Sequence, residues 1–179
     1  MVKIIEKEKI QNFLEDLQNR NAQDYDDVYE VVDNILNDVK ENKDKAVKKY
    51  TYEFDQVYLD NIEVTKEEIE EAFNTIDEKL LETIKRAKKN IEIFHDKQKR
   101  SGYQYKTEGK DILIGQLVNP IEKAGIYIPG GKAAYPSTVL MNAIPAKIAG
   151  VNEIIMITPP QKDGKIKDSI LVAASLSGV

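Results

Sequence analysis

The run GIYIPGGKAAYPSTVLMNAIPAKIAG, residues 125–150, decides the fold. Gly125-Ile126-Tyr127-Ile128 is a short strand-like run, and Pro129-Gly130-Gly131-Lys132 is a loop. Ser137–Ala149 then reads as a helix, capped by Ser137 or Thr138 and ended by Gly150. Ile154–Thr158 is a buried-type strand stopped by Pro159-Pro160, and Asp168 or Ser169 starts another helix. Strand–helix–strand–helix with short connections is the pattern of a parallel α/β layer. Its expected core is Val118, Ile126, Ile128, Leu140, Ile144, Ile148, Ile154, Ile155 and Ile157.

Upstream, the pattern changes twice. Tyr103, Tyr105 and Thr107 alternate with polar residues, Glu108-Gly109-Lys110-Asp111 supplies a turn, and Ile112–Val118 is strand-like, which together predict a β-hairpin. Before it, about a hundred residues hold no glycine and no proline: the first of each are Gly102 and Pro120. Such a stretch reads as helices, since these two residues are the strongest breakers. Ile10, Phe13, Leu14 and Leu17 mark an opening helix. Val28, Val31, Val32, Ile35, Leu36 and Val39 mark a second. Ala46, Val47, Tyr50 and Phe54 mark a third. Thr65 with Glu68 is a capping-box signature, after which Ile76, Leu80, Leu81, Ile84, Ala87, Ile91 and Phe94 trace one long stripe. The wide polar faces predict a layer packed on something else or on another subunit. The expected division is a helical N-terminal region, 1–100, and an α/β region, 101–179, that is truncated at its C-terminus.

Composition narrows the function classes. The 179 residues carry 26 Lys/Arg against 31 Asp/Glu, a net charge of −5. That argues against a nucleic-acid binder with a broad basic face, because phosphate contacts dominate such affinity. No cysteine excludes disulfides, thiolate zinc sites and cysteine nucleophiles, and a single histidine argues against a His-rich metal site. No apolar run approaches a membrane span and the first residues, MVKIIEKEKI, lack an apolar signal core, so the expected compartment is the cytoplasm.

The loop after Ile128 is the one stretch with a chemical look. Pro-Gly-Gly leaves backbone room for a ligand, the helix beyond it offers free N–H groups, and Lys132 adds a cation. Gly130-Gly131 matches neither the dinucleotide fingerprint nor a phosphate-cradling Gly-Lys-Ser/Thr loop. As a bare pattern it is first a tight turn and second a ligand loop. Tyr127 is either a packing tyrosine or a ring placed against a nucleotide. His95, in Phe94-His95-Asp96-Lys97, reads as a solvated or locally hydrogen-bonded residue.

The longer run GIYIPGGKAAYPSTVLMNAIPAKIAGVNEIIMITPP resembles histidinol dehydrogenase, with IPGG, AAYPS, VLMNAIPAKIAG and ITPP in family order and spacing. Ile93-Phe94-His95 with Gln98, and the helical N-terminus, match more loosely. The resemblance implies an α/β fold: a helical N-terminal layer, a β-hairpin, then the start of a modified Rossmann-like, doubly wound parallel sheet, incomplete in this chain. It implies an NAD-dependent oxidoreductase of histidine biosynthesis that oxidises L-histidinol to L-histidine through an aldehyde with two NAD. It also implies a homodimer with bound zinc, and neither a nucleic-acid nor a membrane partner. The family's nucleotide-side tyrosine maps onto Tyr127, with Pro129, Gly130 and Gly131 as weaker cofactor-binding candidates. The family's zinc ligands and its Glu–His pair lie in a C-terminal part absent from this sequence. No catalytic or metal residue is therefore expected here, and the fragment alone is expected to be inactive. Two alternatives stay open: a related nucleotide- or aldehyde-binding α/β enzyme, and a non-catalytic dimerisation module.

Overall fold

The computed structural model describes residues 5–19, 26–130 and 134–179, in two units, Met1–Val47 and Lys48–Val179. The first contains a 3₁₀ turn, Lys7–Lys9, the helices α1 (Ile10–Asn19) and α2 (Asp26–Asn42), and the start of α3 (Asp44–Asp55). Lys43 separates α2 from α3 in a left-handed conformation. The apolar stripes predicted for these helices are present but uncovered: Ile10, Leu14 and Leu17 of α1 and Val28, Val31, Val32 and Leu36 of α2 are exposed.

The second unit continues with α4 (Lys66–Thr75), α5 (Glu78–Asp96), β1 (Tyr103–Lys106), β2 (Leu113–Gln116), β3 (Lys123–Tyr127), α6 (Pro136–Ala149), β4 (Glu153–Ile157) and α7 (Asp168–Ser177). The capping box is formed as the sequence predicts. The Glu68 N–H donates to Thr65 Oγ1 at 3.2 Å, and the Thr65 N–H donates to Glu68 Oε2 at 2.8 Å. Asp77 caps α5 through the Leu80 N–H at 2.8 Å. The hydrophobic stripe that begins at Ile76 therefore crosses a helix break. Thr65→Ala removes one partner of the box and is expected to lower the unfolding free energy by about 1 kcal/mol, readable as a lower midpoint in chemical denaturation.

β1 and β2 form the predicted antiparallel hairpin, with Tyr103 opposite Gln116. Both strands are exposed along their whole length. β3 and β4 pair in parallel, Lys123 opposite Glu153 through Tyr127 opposite Ile157, and α6 is the crossover between them. Gly150 ends α6 at φ 97°, donating to Ala146 and Lys147 carbonyls, a conformation that glycine adopts without the Cβ penalty. The start of α6 corrects the expected cap. The helix begins one residue earlier, with Pro136 in its first turn and Tyr135 before it, and neither Ser137 nor Thr138 caps it with a side chain. Proline suits that position because its missing N–H would have no helical acceptor.

The core lies on one face of the parallel pair. Ile128, Val139, Leu140, Ile144, Ile170, Ala173 and Ala174 form a buried cluster with Ile84 of α5. Ala72 of α4 packs with Leu171 and Val172 in a second cluster. α7 is apolar and buried around most of its surface because α4, α5 and α6 all pack on it. Thr75 Oγ1 donates to Asp168 Oδ2 at 2.8 Å, tying the end of α4 to the first turn of α7. Within this unit α4 and α5 thus share a core with α6 and α7, although the composition changes between them.

Six of the nine expected core residues are buried or half-buried, and three are corrected. Ile155, Ile157 and Val118 are 51%, 64% and 45% exposed. The helices cover only the face carrying Ile126, Ile128, Ile154 and Met156. Alternation along each strand then turns Tyr127, Ile155 and Ile157 to the opposite, open face. Val118 lies beyond β2, outside the parallel pair.

Candidate functional site

The open ends of β3 and β4 point their loops to the same side. Pro129 and Gly130 follow β3; Thr158, Pro159 and Pro160 follow β4. Ligands of parallel α/β sheets bind at this carboxyl end. A cleft of about 840 Å³ is found there, lined by both loops and by Tyr127, Ala134, Gln161, Lys162, Asp163, Ile166, Lys167 and Ile170. Phe54 and Asp55, at the end of α3, line it too. This volume suits a ligand the size of a drug or cofactor.

Gly130 is needed for the closeness of the two loops. A Cβ placed on it would meet the Pro159 ring at 3.1 Å. The side chains supply contrasting chemistry. Tyr127 and Phe54 offer exposed rings, and Phe54 stacks on Tyr50 with centroids 5.9 Å apart. Lys162 and Lys167 bring two cations, Asp55 and Asp163 two carboxylates. Asp163 is engaged in its own turn, where Oδ1 accepts the Lys165 N–H at 3.0 Å.

Of the residues singled out from the sequence, Tyr127, Pro129 and Gly130 come together in this cleft. Gly131 and Lys132 lie outside the described residues. Tyr135 and Ser137 open α6 and do not line the cleft. His95 is at the end of α5, where its ring Nδ1 and Gln98 Oε1 are 2.6 Å apart and Phe94 meets the ring edge-on. Phe54, Asp55, Lys162 and Lys167 were not anticipated as site residues. Lys162 and Asp163 follow a double proline at a strand end, a signal that could have been read. Phe54 and Asp55 sit on a helix far upstream, and nothing local marks them. Among the described residues, no group of three His, Cys, Asp or Glu is placed to hold a metal ion.

The fold and cleft define a parallel α/β layer with an open cleft at its strand ends. The family model of histidinol dehydrogenase matches residues 18–179. The histidinol dehydrogenase of Clostridium acetobutylicum is 48% identical over 169 residues, covering 94% of this chain and 39% of the relative. That of Methanocaldococcus jannaschii is 48% identical over 165 residues, 92% of this chain and 38% of the relative. The crystal structure of histidinol dehydrogenase from Elizabethkingia anophelis superposes with a TM-score of 0.80 at 41% identity, over 88% of this chain and 36% of that one. The chain belongs to the histidinol dehydrogenase family, and it spans roughly two-fifths of the length of these relatives.

Proposed function

We propose that this chain is the cofactor-binding first portion of a histidinol dehydrogenase, and that its cleft takes NAD. The observation that carries the reading is the meeting of Tyr127, Pro129 and Gly130 with two lysines at the ends of parallel strands, in a chain of this family. An aromatic ring suits a nucleotide base or nicotinamide, and the lysine cations suit its phosphates. NAD, when bound, accepts the hydride. The residues of this chain contribute binding and orientation: Tyr127 and Phe54 supply ring surface, and Gly130 keeps the two loops close.

The complete polypeptide would oxidise L-histidinol to L-histidine with two NAD, as a cytoplasmic homodimer. The uncovered apolar stripes of α1 and α2 are the kind of surface a second subunit covers. Zinc does not fit the described residues, which bring no three His, Cys, Asp or Glu side chains together. Hydride transfer also needs substrate and cofactor held in reacting geometry, and no histidine lines the cleft to act as a base.

The purified chain, given zinc, NAD and histidinol, is expected to produce no reduced cofactor. Fused to the remaining part of the Clostridium acetobutylicum relative, it is expected to produce reduced cofactor in a histidinol-dependent way. Turnover by the isolated chain would overturn the division of labour. A folded fusion that oxidises other alcohols but ignores histidinol would overturn the substrate.

A further inference from the structure

We infer that Asp55 is a specificity-determining residue that recognises a vicinal diol on the ligand and excludes a phosphate from the same position. In cofactor terms it selects NAD over NADP, and in this the inference rests on the nucleotide reading of the cleft.

Asp55 is the last residue of α3. That is an unfavourable place for a carboxylate, because the helix end already carries partial negative charge. The side chain is half-buried and lines the cleft. Among the described residues no hydrogen-bond or ion-pair partner falls to it, although Lys162 and Lys167 line the same cleft. A carboxylate held against the helix dipole and left unpaired is a local cost with no structural return.

Its chemistry points to the ligand. An ionised carboxylate only accepts hydrogen bonds, and its two oxygens can take both hydroxyls of a vicinal diol. In doubly wound dinucleotide sites the carboxylate that binds the ribose follows the Gly-rich turn by about twenty residues. Here β4 is followed by Thr158-Pro159-Pro160, and the nearby Asp163 is occupied by its own turn. The free carboxylate of the cleft comes instead from α3. A ribose set against Asp55 donates two hydroxyls. A 2′-phosphate in that place sets like charges together in a partly desolvated cleft.

The test is calorimetric titration of the 179-residue chain with NAD and with NADP, for wild type, Asp55→Asn and Asp55→Glu, with circular dichroism melting as the check on folding. Wild type is expected to prefer NAD by roughly tenfold or more. Asp55→Asn is expected to bring the two affinities within about threefold, and Asp55→Glu to keep a preference for NAD. Equal wild-type affinities, or a ratio unchanged in folded Asp55→Asn, would overturn the role of Asp55 and leave the nucleotide reading intact. If the folded wild type binds neither dinucleotide, the nucleotide reading itself fails, and this inference with it. Should Asp55→Asn not fold, wild type titrated with AMP and with AMP carrying an added 2′-phosphate decides: equal binding of the two overturns the proposal.

Discussion

Leu140→Ala is expected to lower the unfolding free energy of the chain by about 2–5 kcal/mol. Leu140 is one of the largest fully buried side chains and sits where α6 meets Ile84, Ile128 and Ile170. Truncation loses apolar burial and leaves a cavity between helices that cannot all close on it. Ile157→Ala makes the control. The residue lies on the uncovered face of the sheet, and its loss should cost no more than about 0.5 kcal/mol. Urea denaturation of both variants checks the assignment of faces. Equal losses would mean that the sheet is covered on both sides.

Tyr127→Ala carries the second large effect, this time on binding. Loss of the ring should weaken NAD by about 1–3 kcal/mol, or roughly 5- to 150-fold, while Tyr127→Phe stays close to wild type. Folding should be spared, because Tyr127 is 63% exposed on the open face and belongs to neither buried cluster. An unchanged NAD affinity in a folded Tyr127→Ala variant would reduce the tyrosine to a bystander at the rim of the cleft.

The elements most legible in the sequence carry their own punctuation. Gly150 fixes the end of α6, Thr65 and Glu68 fix the start of α4, and the turn at Gly109 fixes the hairpin. The faces of the parallel strands were not legible. Ile154-Ile155-Met156-Ile157 is apolar throughout, so it shows no alternation from which to choose the covered side. The choice is made by α6 and α7, whose packing is tertiary. The same limit applied to α7. Its run Ile170–Ala174 is apolar on every side and gives no helical stripe, yet these residues supply a large part of the core.

The candidate site divides in the same way. Tyr127, Pro129 and Gly130 are consecutive or nearly so, and a strand ending in Pro-Gly marks itself. Asp55 and Phe54 are brought to the cleft by the fold alone, from a helix whose sequence reads as ordinary amphipathic surface. His95 has the more reactive side chain, yet it does not line the cleft: it sits at the end of α5, where Nδ1 pairs with Gln98 and Nε2 is buried with no partner among the described residues.

The most direct measurement is an NMR titration of the isotope-labelled 179-residue chain with NAD, followed through the backbone amide signals. The account predicts saturable shifts at Tyr127, Gly130, Thr158, Gln161 and Lys162, together with Phe54 and Asp55, and none along the β1–β2 hairpin. A folded chain whose signals do not move, or move only away from the ends of β3 and β4, would contradict it.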